Sequence, residues 1–127
     1  MGSQVLIFGG TAIWGQTALV EQYELATQTG RMDSAWVMPN PASHAGAAVI
    51  GTGTAARIYV VGGWHTSATD IYDSPSGTLQ IFNPNDGTWT LGKPLPEARG
   101  GPAVVAYRGK LYVIGGRDRK GVDVNTT

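Results

Sequence analysis

The sequence contains no cysteine and few charged residues. Without cysteine, the 127 residues can form no disulfide framework, no thiol nucleophile and no cysteine-based metal site. Charged residues make up 14% of the chain, compared with roughly 25% in an average protein. The absence of cysteine does not indicate a cellular compartment, and no other feature of the sequence predicts one.

Basic clusters and long apolar runs are missing as well. Nine Lys and Arg residues balance nine Asp and Glu residues, and neither sign forms a block along the chain. Nucleic acids and anionic membranes are bound through clustered Lys and Arg, and a membrane-spanning helix needs about 20 apolar residues. The sequence therefore predicts no nucleic-acid partner and no membrane partner.

Glycine, in contrast, is abundant. The chain has 19 glycines, about twice the share of an average protein, and 42% hydrophobic residues. This apolar content is too high for a disordered chain. Many glycines and β-branched residues with few charges are typical of an all-β protein with tight turns.

One segment, VLIFGGTAIWGQTALVEQ at 5–22, superficially matches a dinucleotide-binding motif. Its glycines could form a tight turn before a helix, but Ala12 stands where the backbone would have to approach a pyrophosphate. The acidic residue expected about 20 positions further on would be Asp33, which lies in a polar, turn-like stretch. We therefore expect no nicotinamide or flavin cofactor here.

The apolar run that ends in two glycines occurs three times, as QVLIFGG, RIYVVGG and KLYVIGG. The glycine pairs, 53 residues apart each time, are Gly9 and Gly10, Gly62 and Gly63, and Gly115 and Gly116. Trp36 and Trp89 are also 53 residues apart. A dinucleotide motif has no reason to recur, whereas a fixed period indicates a repeat architecture. The first glycine pair is therefore predicted to end a strand, with a loop over Thr11–Thr17 and a strand over Ala18–Leu25 after it.

These features resemble the kelch repeat of β-propellers, which has a period near 50 residues, a Gly-Gly strand, an aromatic residue on the next strand and then a Trp. The matching residues are Tyr59 and Tyr112 in the Gly-Gly strands, Tyr23 and Phe82 on the next strands, and Trp36 and Trp89. The resemblance covers 1–127 as one incomplete propeller domain with units 4–56, 57–109 and 110–127. The first unit departs from the pattern, with Phe8 for Tyr, His44 for Arg99 and a longer interval before its Trp.

The resemblance implies four-stranded antiparallel blades, with strands a to d running from the propeller axis outward. Strand a is AGAAVI or GPAVVAY, strand b ends in Gly-Gly, strand c is ALVEQYEL or TLQIFNP, and strand d carries the Trp. Small residues in strand a suit the crowded centre. Tyr59, Tyr112, Trp36 and Trp89 are expected in the core, and the six paired glycines are expected to be structural positions.

The chain holds about 2.4 such repeats, whereas a propeller typically closes with 4 to 8 blades. Two explanations remain open: the chain is part of a longer protein, or several copies assemble to close a ring. The end of the sequence in the middle of a blade favours the first. Remaining blades or self-association are therefore expected to complete the propeller.

In an antiparallel meander, the b–c and d–a loops emerge on the same face, and these loops are the longer ones here. Function concentrates on long loops held by a rigid scaffold. The candidate partner-binding residues on this face are Trp14, Trp64, His65, Arg99 and Arg117. Three have a structural alternative: Trp64 and His65, because the loop at 64–75 would pack on its own blade, and Arg99, which in the family holds one blade to the next.

No catalytic or metal-binding pattern is present in the sequence. His65, Asp70 and Asp73 are suitable ligand types, but no second histidine or fixed spacing supports a metal site. We therefore predict no catalytic residue, no metal and no cofactor, and a non-catalytic kelch-type scaffold that binds a protein partner. The alternative is a part of a propeller enzyme that resembles galactose oxidase or acts on sugars, with its catalytic residues outside this chain.

Overall fold

The computed structural model describes residues 4–32, 35–67 and 70–127, with the backbone alone for residues 67 and 70–73. Within these ranges, short strands follow one another with a single 3-10 turn at Gly53–Ala55 between them. The strands are β1 (Gln4–Phe8), β2 (Thr11–Ala12), β3 (Gly15–Gln16), β4 (Val20–Glu24), β5 (Thr29–Met32), β6 (Gly46–Ile50), β7 (Arg57–Val61), β8 (Trp64–Ser67), β9 (Asp70–Pro75), β10 (Leu79–Asn83), β11 (Thr88–Leu91), β12 (Ala103–Tyr107) and β13 (Lys110–Ile114).

The strands form three successive antiparallel sheets and two separate hairpins. The first sheet has the order β1-β4-β5, the second β6-β7-β10-β11 and the third β12-β13. These are strands b, c and d of one blade, all four strands of the next, and strands a and b of a third. The all-β partial propeller is therefore confirmed. The strand expected over 18–25 is the shorter β4, and the preceding loop contains the hairpin β2–β3.

Aromatic side chains fill the space between the first and second sheets. Phe82 is fully buried, and its ring centroid lies 5.8 Å from that of Phe8 and 4.9 Å from that of Trp89. The ring centroid of Trp36 lies 5.2 Å from that of Phe82, so Trp36 belongs to the same aromatic cluster. Edge-to-face and tilted ring pairs add to the free energy of apolar burial. Trp36 and Trp89 are half-buried and pack against the buried core.

The two glycine-strand tyrosines differ in their burial. Tyr59 is half-buried in the second sheet, but Tyr112 in the third sheet is exposed. The prediction of Tyr112 as a core residue is therefore wrong for this chain. The physical reason is that the third sheet has two strands in the described chain, and that no further sheet of the described chain lies on the face that carries Tyr112.

Trp36 does not lie in strand d, where the repeat pattern predicts it. Strand β5 ends at Met32, and the residue that pairs with Tyr23 across the sheet is Gly30, whereas Trp89 pairs with Phe82. Trp36 therefore reaches the blade interface from the segment after its strand. It packs on Gly87, whose φ of 71° and lack of a Cβ are both needed, because a Cβ there would overlap the indole ring.

The backbone of the paired glycines forms hydrogen bonds to the connection that follows strand d. The N–H of Gly63 donates to the carbonyl oxygen of Arg99 at 2.9 Å, and the N–H of Gly10 donates to that of Ala42 at 2.9 Å. A Cβ on Gly62 would lie 2.6 Å from the Arg99 oxygen. All six paired glycines have positive φ, between 66° and 119°. The pair thus lets the chain turn while a neighbouring backbone approaches closely.

This hydrogen bonding also corrects the match between His44 and Arg99. Since Gly10 and Gly63 are equivalent, the counterpart of Arg99 in the first connection is Ala42. His44 instead corresponds to Gly101, and both have positive φ, 50° and 65°. Histidine is one of the few residue types enriched in this region. The His44 ring nitrogen Nδ1 lies 3.2 Å from the Ser43 hydroxyl oxygen, a side-chain hydrogen bond in a turn.

The inner strands of the second and third sheets, β6 and β12, lie against each other. A Cβ on Gly46 would overlap the Val104 side chain and lie 2.8 Å from the carbonyl oxygen of Pro102. The small residues of strand a therefore occupy a crowded centre, as expected.

Candidate interaction face

The b–c and d–a connections emerge together at one end of the sheets, and we call this end the loop face. It carries the hairpin β2–β3, the hairpin β8–β9, the connections after β5 and β11, and the turn at 117–122. The opposite end carries four-residue c–d turns, the a–b connection at 51–56 with its 3-10 turn, and the two-residue a–b turn at 108–109. The segment at 64–75, predicted as one loop, is therefore mostly the hairpin β8–β9.

Hydrogen bonds join the two hairpins of the loop face. The side-chain oxygen Oε1 of Gln16 accepts a bond from the Thr66 N–H at 2.7 Å and a second from the Thr66 hydroxyl group. A Cβ on Gly15 would lie only 3.3 Å from that hydroxyl oxygen. The tip of β2–β3 is thus supported by β8, although it extends away from its own sheet.

Trp14 is at this tip and is 94% exposed, beside an equally exposed Ile13. Exposed Trp is unusual because the indole ring is among the largest apolar surfaces that a side chain can bury. A rigid aromatic residue held in water is the type that anchors protein interfaces. Ile13 was not singled out from the sequence, although it directly precedes Trp14.

Trp64, the first residue of β8 on the same loop face, is half-buried. Its backbone pairs with Ser43, and its indole ring covers Gly100, where a Cβ would overlap the ring. The ring forms one side of an open hollow of about 540 Å³, with Gly101, Gly116 and Arg117 on the other sides. Trp64 therefore contributes both to packing and to an accessible surface.

Arg117 has the same place in the third unit that Trp64 has in the second, since each directly follows a glycine pair. Its backbone pairs with Gly100, and its exposed guanidinium Nε lies 2.9 Å from Oδ1 of Asp123. An ion pair in water contributes little to stability, so the side chain can exchange this carboxylate for another.

Arg99, in contrast, is buried. Its Nη1 donates to the carbonyl oxygens of Gly115 at 3.0 Å and Thr126 at 2.6 Å, and its Nη2 donates to the Thr126 hydroxyl oxygen at 2.6 Å. Its backbone bonds to the second sheet through Gly63. These contacts favour the structural interpretation, in which Arg99 holds the third unit to the second.

His65 is half-buried beside a small cavity of about 90 Å³, which Ser76 and Thr78 also line. Its Nδ1 is buried and has no hydrogen-bond partner among the described residues. The side chains of Asp70 and Asp73, considered with it as metal ligands, lie outside the described part of the structure, as does Asp33. Among the side chains that are described, no three His, Asp or Glu residues come together as a metal site would require.

Gln80 is a buried residue that the sequence analysis missed. Its amide Oε1 accepts from the N–H of Asn40 at 2.9 Å, and its Nε2 donates to the Asn40 carbonyl oxygen at 3.0 Å. Both polar atoms are thereby satisfied in the interior. The signal was a lone glutamine inside the apolar run LQIF, which is the pattern of a buried amide with a specific backbone partner.

Comparisons with known proteins agree with this architecture. A family model described as "Kelch motif" matches residues 98–127. Kelch-like protein 25 of Rattus norvegicus is 41% identical over 63 residues, which are 46% of this chain and 10% of that protein. An F-box/kelch-repeat protein of Arabidopsis thaliana is 32% identical over 98 residues, 75% of this chain and 22% of the relative.

The solved structure titled "Structure of YjhT" matches 94% of this chain and 33% of its own, with a TM-score of 0.73 and 20% identity. The chain thus spans a tenth to a third of the length of these relatives. In the described ranges, no helix is long and apolar enough to cross a membrane.

Proposed function

We propose, since the chain belongs to the kelch-repeat β-propeller family, that it is part of a non-catalytic scaffold that binds a protein partner through the loop face. Kelch repeats commonly serve as protein-interaction scaffolds. We further propose that the repeat units are 4–56, 57–109 and 110–127.

The observation that carries the proposal is the exposed Trp14 on a hairpin that is supported by its neighbour. The hydrogen bonds between Gln16 and Thr66 hold the hairpin whose tip carries the exposed Trp14. Those bonds reduce the freedom that the tip would lose on binding, which lowers the entropic cost of association. The exposed tip is therefore suited to insert into an apolar depression of a partner.

The hollow between Trp64 and Arg117 supplies a second contact on the same face. It combines an aromatic wall with an exposed guanidinium group, and Trp and Arg are the residue types that contribute most to protein interfaces. We assign partner contacts to Trp14, Trp64 and Arg117, with His65 at the edge of the face. Arg99 is assigned to holding the blades together.

Site-specific photo-crosslinking tests which face binds, and it can capture a partner that has not been identified. A photoreactive amino acid is placed at Ile13 on the loop face or, as a matched control, at Arg108 in the turn on the opposite face. We expect one defined protein to crosslink at position 13 and not at position 108. Crosslinking at 108 alone would contradict the proposal.

Affinity measurements with the captured protein then test the residues. Trp14→Ala and Trp64→Ala should each weaken binding by about 1–2 kcal/mol or more while the far-UV circular dichroism stays unchanged. If neither substitution alters any interaction and the chain takes part in turnover of a sugar or alcohol, the enzyme alternative would replace the scaffold.

A further inference from the structure

The hairpin that carries Trp14 is too short to hold its own tip. Strands β2 and β3 pair through two residues each, and Ile13 and Trp14 form the turn between them. An isolated two-stranded hairpin is at best marginally stable in water. The position of Trp14 therefore needs support from outside its hairpin.

That support comes from an irregular place in the neighbouring hairpin β8–β9. The pairing register between these strands shifts between His65 and Ser67, so that Thr66 has no cross-strand partner in β9. An irregularity of this kind takes a residue out of the ladder and re-aims it. The Thr66 N–H donates to Oε1 of Gln16 at 2.7 Å, and the Thr66 hydroxyl group donates to the same oxygen. An irregular residue of the second unit thus holds a strand of the first.

Strand β8 also carries the second proposed contact, Trp64. Trp64 begins the strand two residues before Thr66, just as Trp14 precedes Gln16 by two residues. The Trp64 backbone exchanges two hydrogen bonds with that of Ser43, at 2.8 and 3.0 Å, which anchors this end of β8. The two tryptophans are therefore connected, along β3 and β8, through the side chain of Gln16.

We propose that Gln16 and Thr66 are positioning residues that make Trp14 and Trp64 act as one coupled contact; this inference rests on the proposed function. With the two bonds in place, a partner that fixes β8 through Trp64 also fixes the tip that carries Trp14. Each contact then reduces the conformational freedom that the other has still to lose, so that the two bind cooperatively.

NMR relaxation of the Trp14 backbone amide tests the positioning in the absence of a partner. Gln16→Met removes the shared acceptor, and we expect the order parameter of Trp14 to fall from about 0.85, typical of a rigid backbone, to below about 0.6. Gln16→Glu keeps an acceptor oxygen and should keep the rigid value. Gln4→Met, an exposed position at the far end of β1, is the matched control. An order parameter that Gln16→Met leaves unchanged would overturn the proposal.

A double-mutant cycle with the captured partner tests the coupling. In the unmodified chain, Trp14→Ala and Trp64→Ala together should weaken binding at least about threefold less than the product of the two single losses. In the Gln16→Met background the two losses should simply multiply, and in the Gln16→Glu background the coupling should return. Losses that multiply in the unmodified chain, or a coupling that survives Gln16→Met, would also overturn the proposal.

The outcomes separate this inference from the proposed function. If neither Trp14→Ala nor Trp64→Ala weakens binding, the proposed function is wrong and the coupling is wrong with it, whereas the relaxation measurement still decides whether Gln16 positions the tip. If both substitutions weaken binding and their losses multiply, the loop face binds the partner and the coupling alone is wrong.

Discussion

The second and third sheets contain nearly the same glycine strand, RIYVVGG and KLYVIGG, yet one is core and the other surface. In the second sheet, strand β7 has a neighbour on each side, the first sheet lies beside its Ile58, and β12 of the third sheet lies against the adjoining β6. In the third sheet, β13 pairs with β12 alone, and its outer side chains are exposed. Burial in this fold is therefore set by the stacking of sheets, not by the sequence of a strand.

The comparison also separates two arginines that the sequence places in one candidate site. Arg99 lies between the second and third sheets, where its guanidinium group donates to backbone oxygens. Arg117 lies beyond the third sheet and meets one exposed carboxylate. The first is suited to structure and the second to a partner, although both are arginines on loops of the same face.

The largest expected effect comes from Phe82→Ala, which removes the central ring of the blade interface. We expect a loss of about 3–5 kcal/mol in the free energy of unfolding, because a large buried side chain is deleted and a cavity is left. Urea denaturation measures it. The matched control is Tyr23→Ala, at the same place in the first sheet, which should cost less than half as much. Equal losses would contradict the role of stacking.

Arg99→Leu should be the next most damaging substitution. It removes the guanidinium bonds to the Gly115 carbonyl oxygen and to the carbonyl and hydroxyl oxygens of Thr126, so that the Thr126 carbonyl oxygen keeps only the Gly115 N–H; we expect this to cost about 2–3 kcal/mol. Arg117→Leu is the matched control and should change the unfolding free energy by no more than about 0.5 kcal/mol, since its ion pair is exposed. Similar costs at both positions would show that Arg99 does not hold the sheets together.

A smaller difference is expected between Val61→Ala and Ile114→Ala. These residues end the equivalent strands β7 and β13, but the first is fully buried and the second is half exposed. We expect a loss of about 2 kcal/mol for Val61→Ala and less than about 1 kcal/mol for Ile114→Ala, even though the second removes more atoms. Denaturation should be measured at a concentration low enough to keep the chain monomeric.

The smallest effect concerns Asp86, in the c–d turn of the complete sheet. The Thr88 hydroxyl group and then the Thr88 N–H donate to its carboxylate, which lowers the pKa of Asp86 below its usual 3.8. Because the folded pKa is lower than the unfolded one, this stabilisation is present above the usual pKa and is lost as pH falls through the lowered value.

An NMR titration of the Asp86 carboxyl carbon measures this pKa in the folded chain. In the Asp86→Asn variant, the loss of unfolding free energy that protonation of Asp86 causes at low pH should be absent. The equivalent residue in the c–d turn of the first sheet is Thr27. Its side chain does not titrate, so it serves as an internal reference for the titration of Asp86. A normal or raised pKa would show that the turn is not held by Thr88.

The repeated glycine pairs made the three b strands and the strand order predictable, because a register of 53 residues leaves little freedom in an antiparallel meander. The place of Trp36 was not predictable, since the extra residues before it carry it past the end of β5 and its contact with Gly87 is long-range. The hairpins β2–β3 and β8–β9 were missed because such short or irregular strands have no periodicity to detect.

The candidate site shows the same division between local and long-range information. Trp14 could be proposed because it follows a glycine strand, but its support by Gln16 and Thr66 joins residues 50 positions apart. The match of Arg99 with His44 followed spacing, whereas the hydrogen bonds of the glycine pairs assign Ala42 to that place. Backbone contacts between units, which a single sequence does not display, decide such assignments.

Hydrogen exchange of the amides in β7 and β13 tests the central claim most directly. Only amides that bond to the neighbouring strand a, β6 or β12, should be compared, so that each has a partner. At a concentration that keeps the chain monomeric, β7 should exchange at least about tenfold more slowly than β13. Equal protection of the two strands in the monomer would contradict the account, because stacking would then not determine which strand is core.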